Sequence, residues 1–174
     1  HSGLWSRYSW FESMRASQLQ DRVSMAITIR PLLPADLPRL SPLFGAYLDF
    51  YGVPQEAQRR TIFLAQRLGA DDSTCLGAFA GEELAGFALC HHTHNSLRLA
   101  PAWILHDLFV SPAHRRHGVA ESLLAAVHAR AAAAGACEVV LSTAQDNTAA
   151  QALYTKQGYR EDATFRVYAC DLRP

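Results

Sequence analysis

The spacing of hydrophobic residues along the chain shifts between the two-residue period of strands and the 3.6-residue period of helices. At residues 27–31 two isoleucines alternate with polar neighbours, which predicts a short strand ending at a proline. A helix is predicted to begin at Asp36, because hydrophobic side chains then recur at helical spacing: Leu37, Leu40, Leu43, Phe44 and Tyr47. Pro54 is expected to open a second helix that ends at Gly69.

The rest of the chain predicts a hairpin followed by alternating strands and helices. The predicted elements are strands at 74–80, 84–92 and 102–110, a helix at 118–134, a strand at 137–142, a helix at 147–157 and a last strand at 165–171. This order predicts an α+β (three-layer α/β) fold. Its central sheet is expected to be mixed and mostly antiparallel, with about six to seven strands flanked by about four helices.

Composition fits one domain with a real core, because 49% of the 174 residues are hydrophobic and only 18% are charged. We expect that domain at residues 25–174. Residues 1–24 are aromatic-rich and have no clean period, which favours an extension that is vector-derived or translated from an upstream start. The alternative is a short amphipathic helix, Tyr8 to Leu19, that docks Trp10 and Phe11 on a partner.

Charge and cysteine usage exclude several classes of protein. Sixteen basic residues balance sixteen acidic residues, which argues against a nucleic-acid partner because such binding depends on a basic face. The longest stretch without a charged residue, 84–97, is too short to cross a membrane, and charged residues interrupt every candidate signal-peptide core. The four cysteines lack metal-site spacing and lie in apolar segments: Cys75, Cys90, Cys137 and Cys170. These features predict a cytoplasmic protein.

The segment with the clearest chemistry joins a buried strand to a long helix. The strand stops at Pro112, and a turn of Arg115, Arg116, His117 and Gly118 enters the helix at once. The first N–H groups of a helix lack internal partners and carry partial positive charge, so this turn suits a phosphate. The alternative is an ordinary connection whose arginines are solvated.

Two motifs at matching distance resemble the GNAT superfamily of acyl-CoA-dependent N-acyltransferases. They are Arg115-x-x-Gly118-x-Ala120, and Asn147-x-x-Ala150-x-x-x-Tyr154-x-x-x-Gly158-Tyr159. Ile29-Arg30-Pro31 with Asp36 and Leu40 is similar to the first strand and helix of that family. The resemblance covers residues 27–171 and implies a GNAT-like sheet, acetyl-CoA as co-substrate and a homodimer.

The resemblance also implies a role for each matched residue. The backbone groups of Leu108, Phe109 and Val110 would pair with pantetheine, as an added strand would. The pyrophosphate would be held by the turn and the helix start: Arg115, Arg116, His117, Gly118, Val119, Ala120 and Glu121. Asn147 and Ala150 would contact the pantetheine arm, although Asn147 also suits a helix N-cap. Tyr154 would protonate the departing thiolate as general acid; the alternative is a core tyrosine.

Residues 103–110 look like the diamine (spermidine/spermine-type) and histone/polyamine branch of the superfamily. That resemblance implies substrate contacts from Tyr47, Asp49 and Tyr51, together with His106 and Asp107. His106 stands where a diamine enzyme would have a carboxylate, and an imidazole suits proton removal at neutral pH. Strand alternation predicts that His106 and Asp107 face opposite sides of the sheet. We favour His106 as catalytic base, against a satisfied histidine packed under a helix.

A metal site at His91-His92-x-His94 is not expected, because adjacent strand residues face opposite sides and cannot converge on one ion.

The predicted function is an acetyl-CoA-dependent N-acetyltransferase acting on a small amine, polyamine or amino acid by direct attack in a ternary complex. The alternatives are a protein lysine or N-terminal acetyltransferase and a non-catalytic acetyl-CoA-binding regulatory module.

Overall fold

The computed structural model describes residues 26–172, so the predicted extension at 1–24 lies outside the described residues. Within that range the chain forms a mixed sheet of five strands and four α-helices, the α+β architecture that the sequence predicts. The strands are β1 Ile27–Pro31, β2 Ser73–Ala80, β3 Glu83–Asn95, β4 Ala100–Val110 and β5 Val139–Leu141. The helices are α1 Leu37–Phe50, α2 Ala57–Arg67, α3 Val119–Ala133 and α4 Thr148–Lys156.

The strands follow one another across the sheet in chain order. Strands β1 to β4 pair antiparallel, and β5 pairs parallel to β4 over three residues. Nearly every residue of β2 is buried, so the centre of the sheet is covered on both faces. Antiparallel neighbours need only short turns, whereas the parallel β4–β5 pair needs the α3 crossover between them.

The two faces of the sheet carry separate hydrophobic cores. Leu123, Leu124 and Val127 of α3 are fully buried against one face. On the other face, Leu40 and Phe44 of α1 pack with residues of α2 and with aromatic side chains of β3 and β4. The polar residues of the candidate site lie on the α1/α2 face and at the end of β4, and other candidate residues lie at the start of α3 and on α4.

The start of α1 is tied to β1 by an ion pair. Both oxygens of Asp36 accept hydrogen bonds from the Arg30 guanidinium at 2.7 Å, and one of them also accepts from the Leu33 N–H at 2.9 Å. Asp36 itself is buried. These donors hold the pKa of the Asp36 carboxyl at about 2, so it stays charged and fixes where α1 begins.

Two details of the predicted elements differ from the structure. The sheet has five strands rather than six to seven in the described residues, because residues 165–171 are exposed and lie outside it. Alternation shows which side chains share a face but not which sheet edge receives the strand. The second helix begins at Ala57 rather than at Pro54, because Glu56 keeps an extended backbone. Over the described residues, no helix has the length and apolar character needed to span a bilayer.

Candidate active site

A β-bulge in β4 brings two polar side chains to one face of the sheet. Leu89 pairs with Asp107 and Cys90 with Leu105, so His106 is the extra residue. The Asp107 carboxylate accepts a hydrogen bond from the Tyr47 hydroxyl of α1 at 2.6 Å. The His106 ring meets the His91 ring edge-on at 4.9 Å. The prediction that His106 and Asp107 face opposite sides is therefore wrong: the extra residue cancels the alternation.

Burial sets the ionisation of this cluster. Burial raises the pKa of Asp107, and the hydrogen bond from Tyr47 opposes that rise. Burial and the neighbouring carboxylate raise the pKa of Tyr47, so its hydroxyl remains a donor at neutral pH. Burial and then the nearby His106 lower the pKa of His91, which favours a neutral imidazole. The cluster therefore offers a carboxylate and an uncharged imidazole beside the exposed His106.

Aromatic side chains from the end of α1 wall the cluster. The Tyr47 ring lies 5.1 Å from the Tyr51 ring and 5.9 Å from the Phe109 ring, all in edge-on geometry. Tyr47 and Tyr51 share one side of α1 because they are four residues apart. Asp49 lies between them in sequence and is exposed, so the structure does not bring this predicted substrate residue to the cluster.

Tyr154 lies on α4 and is half-buried, with its ring edge-on to Tyr159 at 5.7 Å. Burial raises the pKa of Tyr154, and electrostatic interaction with Tyr51 adds to the rise. Its phenol therefore holds its proton at neutral pH, as a general acid must. Asn147 caps α4 by accepting a hydrogen bond from the Ala150 N–H at 3.2 Å, which fulfils its predicted capping role.

The second half of β4 has an open backbone edge. Pairing with β5 stops at Leu105, whereas β4 continues to Val110. The Ser111 N–H donates to Ala85 O, and hydrogen-bonded and non-hydrogen-bonded pairs alternate in an antiparallel ladder. Leu108 and Val110 therefore direct their N–H and C=O groups to the open side, whereas those of Phe109 face β3. Of the three residues predicted to present backbone groups to pantetheine, two present them.

The turn after β4 leads into α3 with left-handed backbone at Arg116, with φ of 65°, and at Gly118, with φ of 76°. Glycine adopts this conformation without strain. Gly118 is the N-cap of α3 and has no side chain to cap the helix. The first N–H groups of α3 therefore remain available to an anion. Val119 is buried in the core, so it can contribute only its backbone. Glu121 forms an ion pair with Lys156 of α4 at 2.9 Å.

Arg115 lies across the open edge instead of pointing to the start of α3. Its Nε donates to Val110 O at 3.2 Å, and its guanidinium lies 5.5 Å from the Phe109 ring centre and 5.7 Å from that of Phe50. Arg116 and His117 are exposed in the turn and Ala120 is partly exposed on α3. The predicted cofactor residues from 108 to 121 thus form one strip that runs from β4 through the turn to α3, whereas Asn147, Ala150 and Tyr154 belong to α4 and its cap.

Two features of this site were missed by the sequence analysis. The bulge was missed because strand register is not visible in residue spacing. The role of His91 was missed because it was weighed only as a metal ligand. His92 faces the other side, where its ring stacks on Trp103 at 4.5 Å. Among residues 26–172 no group of three or more His, Cys, Asp or Glu side chains could hold a metal ion.

Comparison with known proteins points to one family. The sequence pattern of the acetyltransferase (GNAT) family matches residues 40–159. The "uncharacterized N-acetyltransferase YhfO" of Bacillus subtilis (strain 168) is 34% identical over 146 residues, which are 84% of this chain and 98% of that protein. The crystal structure of "a probable acetyltransferase" is 34% identical, with a TM-score of 0.79 over 84% of this chain and 99% of that one. A ribosomal-protein-alanine N-acetyltransferase from Brucella melitensis biovar Abortus 2308 shares the fold, at 21% identity and a TM-score of 0.69 over 84% of this chain and all of that one.

Proposed function

Because this chain belongs to the GNAT family and is an N-acetyltransferase, we propose that it transfers an acetyl group from acetyl-CoA to the primary amine of a small molecule. The observation that carries the proposal is the strip formed by the open edge of β4, the turn after it and the uncapped start of α3. A strand edge suits an amide-bearing arm, and a helix start suits a pyrophosphate. The residues present therefore fit acetyl-CoA, which would supply the acetyl group as a thioester.

The acceptor amine is proposed to enter beside the bulge. The Asp107 carboxylate, anchored by Tyr47, would attract the ammonium form of the substrate. His106 would then take a proton from the ammonium and leave a neutral amine able to attack the acetyl carbonyl carbon. His106 is exposed, so it can pass that proton on to water. This arrangement favours a small amine with one cationic group at the reacting end.

The open side of β4 would stabilise the reacting carbonyl. Val110 directs its N–H to that side, where it can donate to the carbonyl oxygen as negative charge develops there. As the new C–N bond forms and the C–S bond breaks, the leaving sulfur needs a proton. Tyr154 would donate it, because burial keeps its phenol protonated. The attacking nitrogen would lose its second proton as the amide forms, and a proton from solvent would restore Tyr154. The products are the acetylated amine and free CoA.

The resemblance to the diamine branch proposes a polyamine as acceptor. The homodimer is a proposal that rests on the family resemblance. A carboxylate for a second ammonium group is missing at residue 106, so a polyamine is the less favoured acceptor. A protein lysine or N-terminal amine is the second candidate, because the His106 side of the cluster is exposed and could receive an extended peptide.

The first test is thiol release from acetyl-CoA with polyamines, amino acids, aminoglycosides and lysine peptides as acceptors. We expect turnover with one class of small amine. Tyr154→Phe should lower kcat by roughly 100-fold or more, because the general acid is lost. Tyr159→Phe is the matched control, since its hydroxyl bonds to His128 at 2.8 Å, and it should keep most of the activity.

Calorimetric titration with CoA completes this test. Binding without turnover on any amine would favour the regulatory module over an enzyme. Turnover on peptides alone would favour the protein acetyltransferase. Absence of CoA binding would contradict the assignment of the strip along β4 and α3.

A further inference from the structure

Four aromatic side chains contact one another where the end of α1 lies against the end of β4. We call them the aromatic rim: Tyr47, Phe50, Tyr51 and Phe109. Their ring centres form a closed circuit, with neighbouring rings 5.1, 5.1, 6.4 and 5.9 Å apart. The three residues from α1 and its cap share one side of the helix because they are three or four positions apart. The rim is therefore one continuous apolar surface supplied by two elements.

Solvent exposure increases across the rim with distance from Asp107. Phe109 is buried, and the half-buried Tyr47 holds the Asp107 carboxylate through its hydroxyl at 2.6 Å. Phe50 and Tyr51 are 56% and 47% exposed. Neighbouring large aromatic side chains that face solvent are typical of a binding surface. The rim thus leads outward from a partly buried carboxylate to ring faces that are open to a ligand.

The exposed part of the rim lies near the proposed reacting groups. Tyr51 interacts electrostatically with the phenol of Tyr154 on α4 and contributes to raising the pKa of Tyr154. His106 directly precedes Asp107 in the bulge. A molecule whose amine lies at Asp107 therefore has the rest of its structure beside Phe50 and Tyr51.

The charges around the rim favour a ligand with one positive group. The Arg115 guanidinium lies 5.7 Å from the Phe50 ring centre and 5.5 Å from that of Phe109. It would repel a second ammonium group that reached the rim. Asp49 offers no compensation there, because it is two residues from both Tyr47 and Tyr51 and so lies on another side of α1.

We propose that the acceptor is an arylalkylamine, a primary monoamine that carries an aromatic ring on a short alkyl arm. Its ammonium group would pair with Asp107, and its ring would pack on Phe50 and Tyr51. An aromatic body is favoured over an aliphatic one because aromatic pairs gain stabilisation beyond the area that they bury. A free amino acid is disfavoured, since its carboxylate would lie beside Asp107. The inference names the substrate class of the proposed acetyl transfer and rests on that function.

Thiol release from acetyl-CoA with matched amines tests the substrate class. The series is phenethylamine, cyclohexylethylamine, propylamine, putrescine and phenylalanine. We expect kcat/KM for phenethylamine to exceed that for propylamine by roughly tenfold or more, because a ring-sized apolar group is buried. Cyclohexylethylamine should fall between these two, and putrescine and phenylalanine should fall below propylamine. Putrescine or phenylalanine turned over as fast as phenethylamine would overturn the inference.

Calorimetric titration of the full chain in the presence of CoA separates this inference from the proposed reaction. Phenethylamine should bind roughly tenfold more tightly than propylamine, for the same reason. If no amine supports thiol release but this preference is found, acetyl transfer fails and the arylalkylamine site stands. If amines are turned over but the two bind equally, acetyl transfer stands and the arylalkylamine site is overturned.

Variants at Phe50 test the rim itself, with the ratio of kcat/KM for phenethylamine to that for propylamine as the readout. A general loss of activity or of folded protein cancels in this ratio. Phe50→Ala should lose most of the preference, whereas Phe50→Tyr should keep it because the ring remains. Leu97→Ala is the matched control, since Leu97 is an exposed hydrophobic residue in the turn between β3 and β4, and it should keep the wild-type ratio. An unchanged ratio in Phe50→Ala, or an equal loss in Leu97→Ala, would overturn the assignment.

Discussion

At the scale of single residues, the hydrogen bond between Tyr47 and Asp107 gives the residues of the polar cluster different expected roles. The Tyr47 hydroxyl donates its hydrogen bond to Asp107, so we expect Tyr47 to position Asp107 rather than to act as a catalytic acid. His106 has its ring edge-on to His91 and is otherwise open to solvent. In the proposed mechanism, proton removal is therefore assigned to His106, which is open to solvent.

Replacing His106 with alanine tests that assignment. His106→Ala should lower kcat by roughly 100-fold, which is the lower range of general-base contributions. Because the side chain is exposed, added imidazole should enter the space and restore part of the rate. His94→Ala is the matched control, since His94 is an exposed histidine of β3, and it should retain the wild-type rate. Equal losses in the two variants, or no rescue, would remove His106 from the mechanism.

The motif residues were predictable from sequence because their roles depend on local spacing. Asn147 caps α4 through a bond to the residue three positions later, and Gly118 supplies the left-handed start of α3. The pairing of His106 with His91 was not predictable. It depends on which residue of β3 faces which residue of β4, and that is set by tertiary packing over the whole sheet.

At the scale of elements, the Arg30–Asp36 pair joins β1 to α1 and should contribute pH-dependent stability. The pKa of Asp36 is about 2 in the folded chain and about 3.9 in an unfolded one. A depressed pKa stabilises the fold above the unfolded value and loses that effect as pH falls from about 4 to 2. Arg30 is 40% exposed, so solvent screening limits the contribution to about 1–2 kcal/mol.

Urea unfolding of Asp36→Asn measures this contribution. The variant should be less stable than wild type by about 1–2 kcal/mol at pH 7, and the difference should shrink as pH approaches 2. Asp72→Asn is the control, because Asp72 is 64% exposed in its pair with Arg67 and should cost about 0–1 kcal/mol. A difference that persists unchanged at low pH would show that charge on Asp36 is not its cause.

Element types were predicted better than element partners. All five strands and all four α-helices of the described residues were expected from periodicity and end signals, with boundaries shifted by a few residues. The segment at 165–171 has the same periodicity as the others but is not one of the sheet strands in the described residues. Its pattern specifies the conformation of the segment, whereas the partner edge depends on contacts beyond the local sequence.

At the scale of the whole molecule, the balanced charge predicts weak colloidal repulsion. The formal net charge is zero at pH 7 with neutral histidines, and the sequence pI is about 7.2. Below its pI the chain carries a net positive charge, which increases the repulsion between copies. Solubility should therefore be lowest near pH 7 and rise toward pH 6.

Polyethylene glycol precipitation midpoints between pH 5.5 and 9 measure this behaviour, with catalytic rate at each pH as the check that the fold is kept. A solubility that falls steadily from pH 7 to pH 6 would contradict the prediction. In that case, patches of exposed apolar surface, rather than net charge, would dominate association.

The bulge at His106 also changes which residues of β4, odd-numbered or even-numbered, direct their backbone groups away from β3. Before it, the odd-numbered Pro101 and Trp103 direct their backbone groups to the β5 side; after it, the even-numbered Leu108 and Val110 direct theirs to the open edge beyond the end of β5. One inserted residue thus determines both which side chains face α1 and which peptide groups face the open edge. The side-chain faces and the backbone directions are linked, so a one-residue deletion there would change both together. Both properties of the site therefore depend on the register of β4 after residue 106.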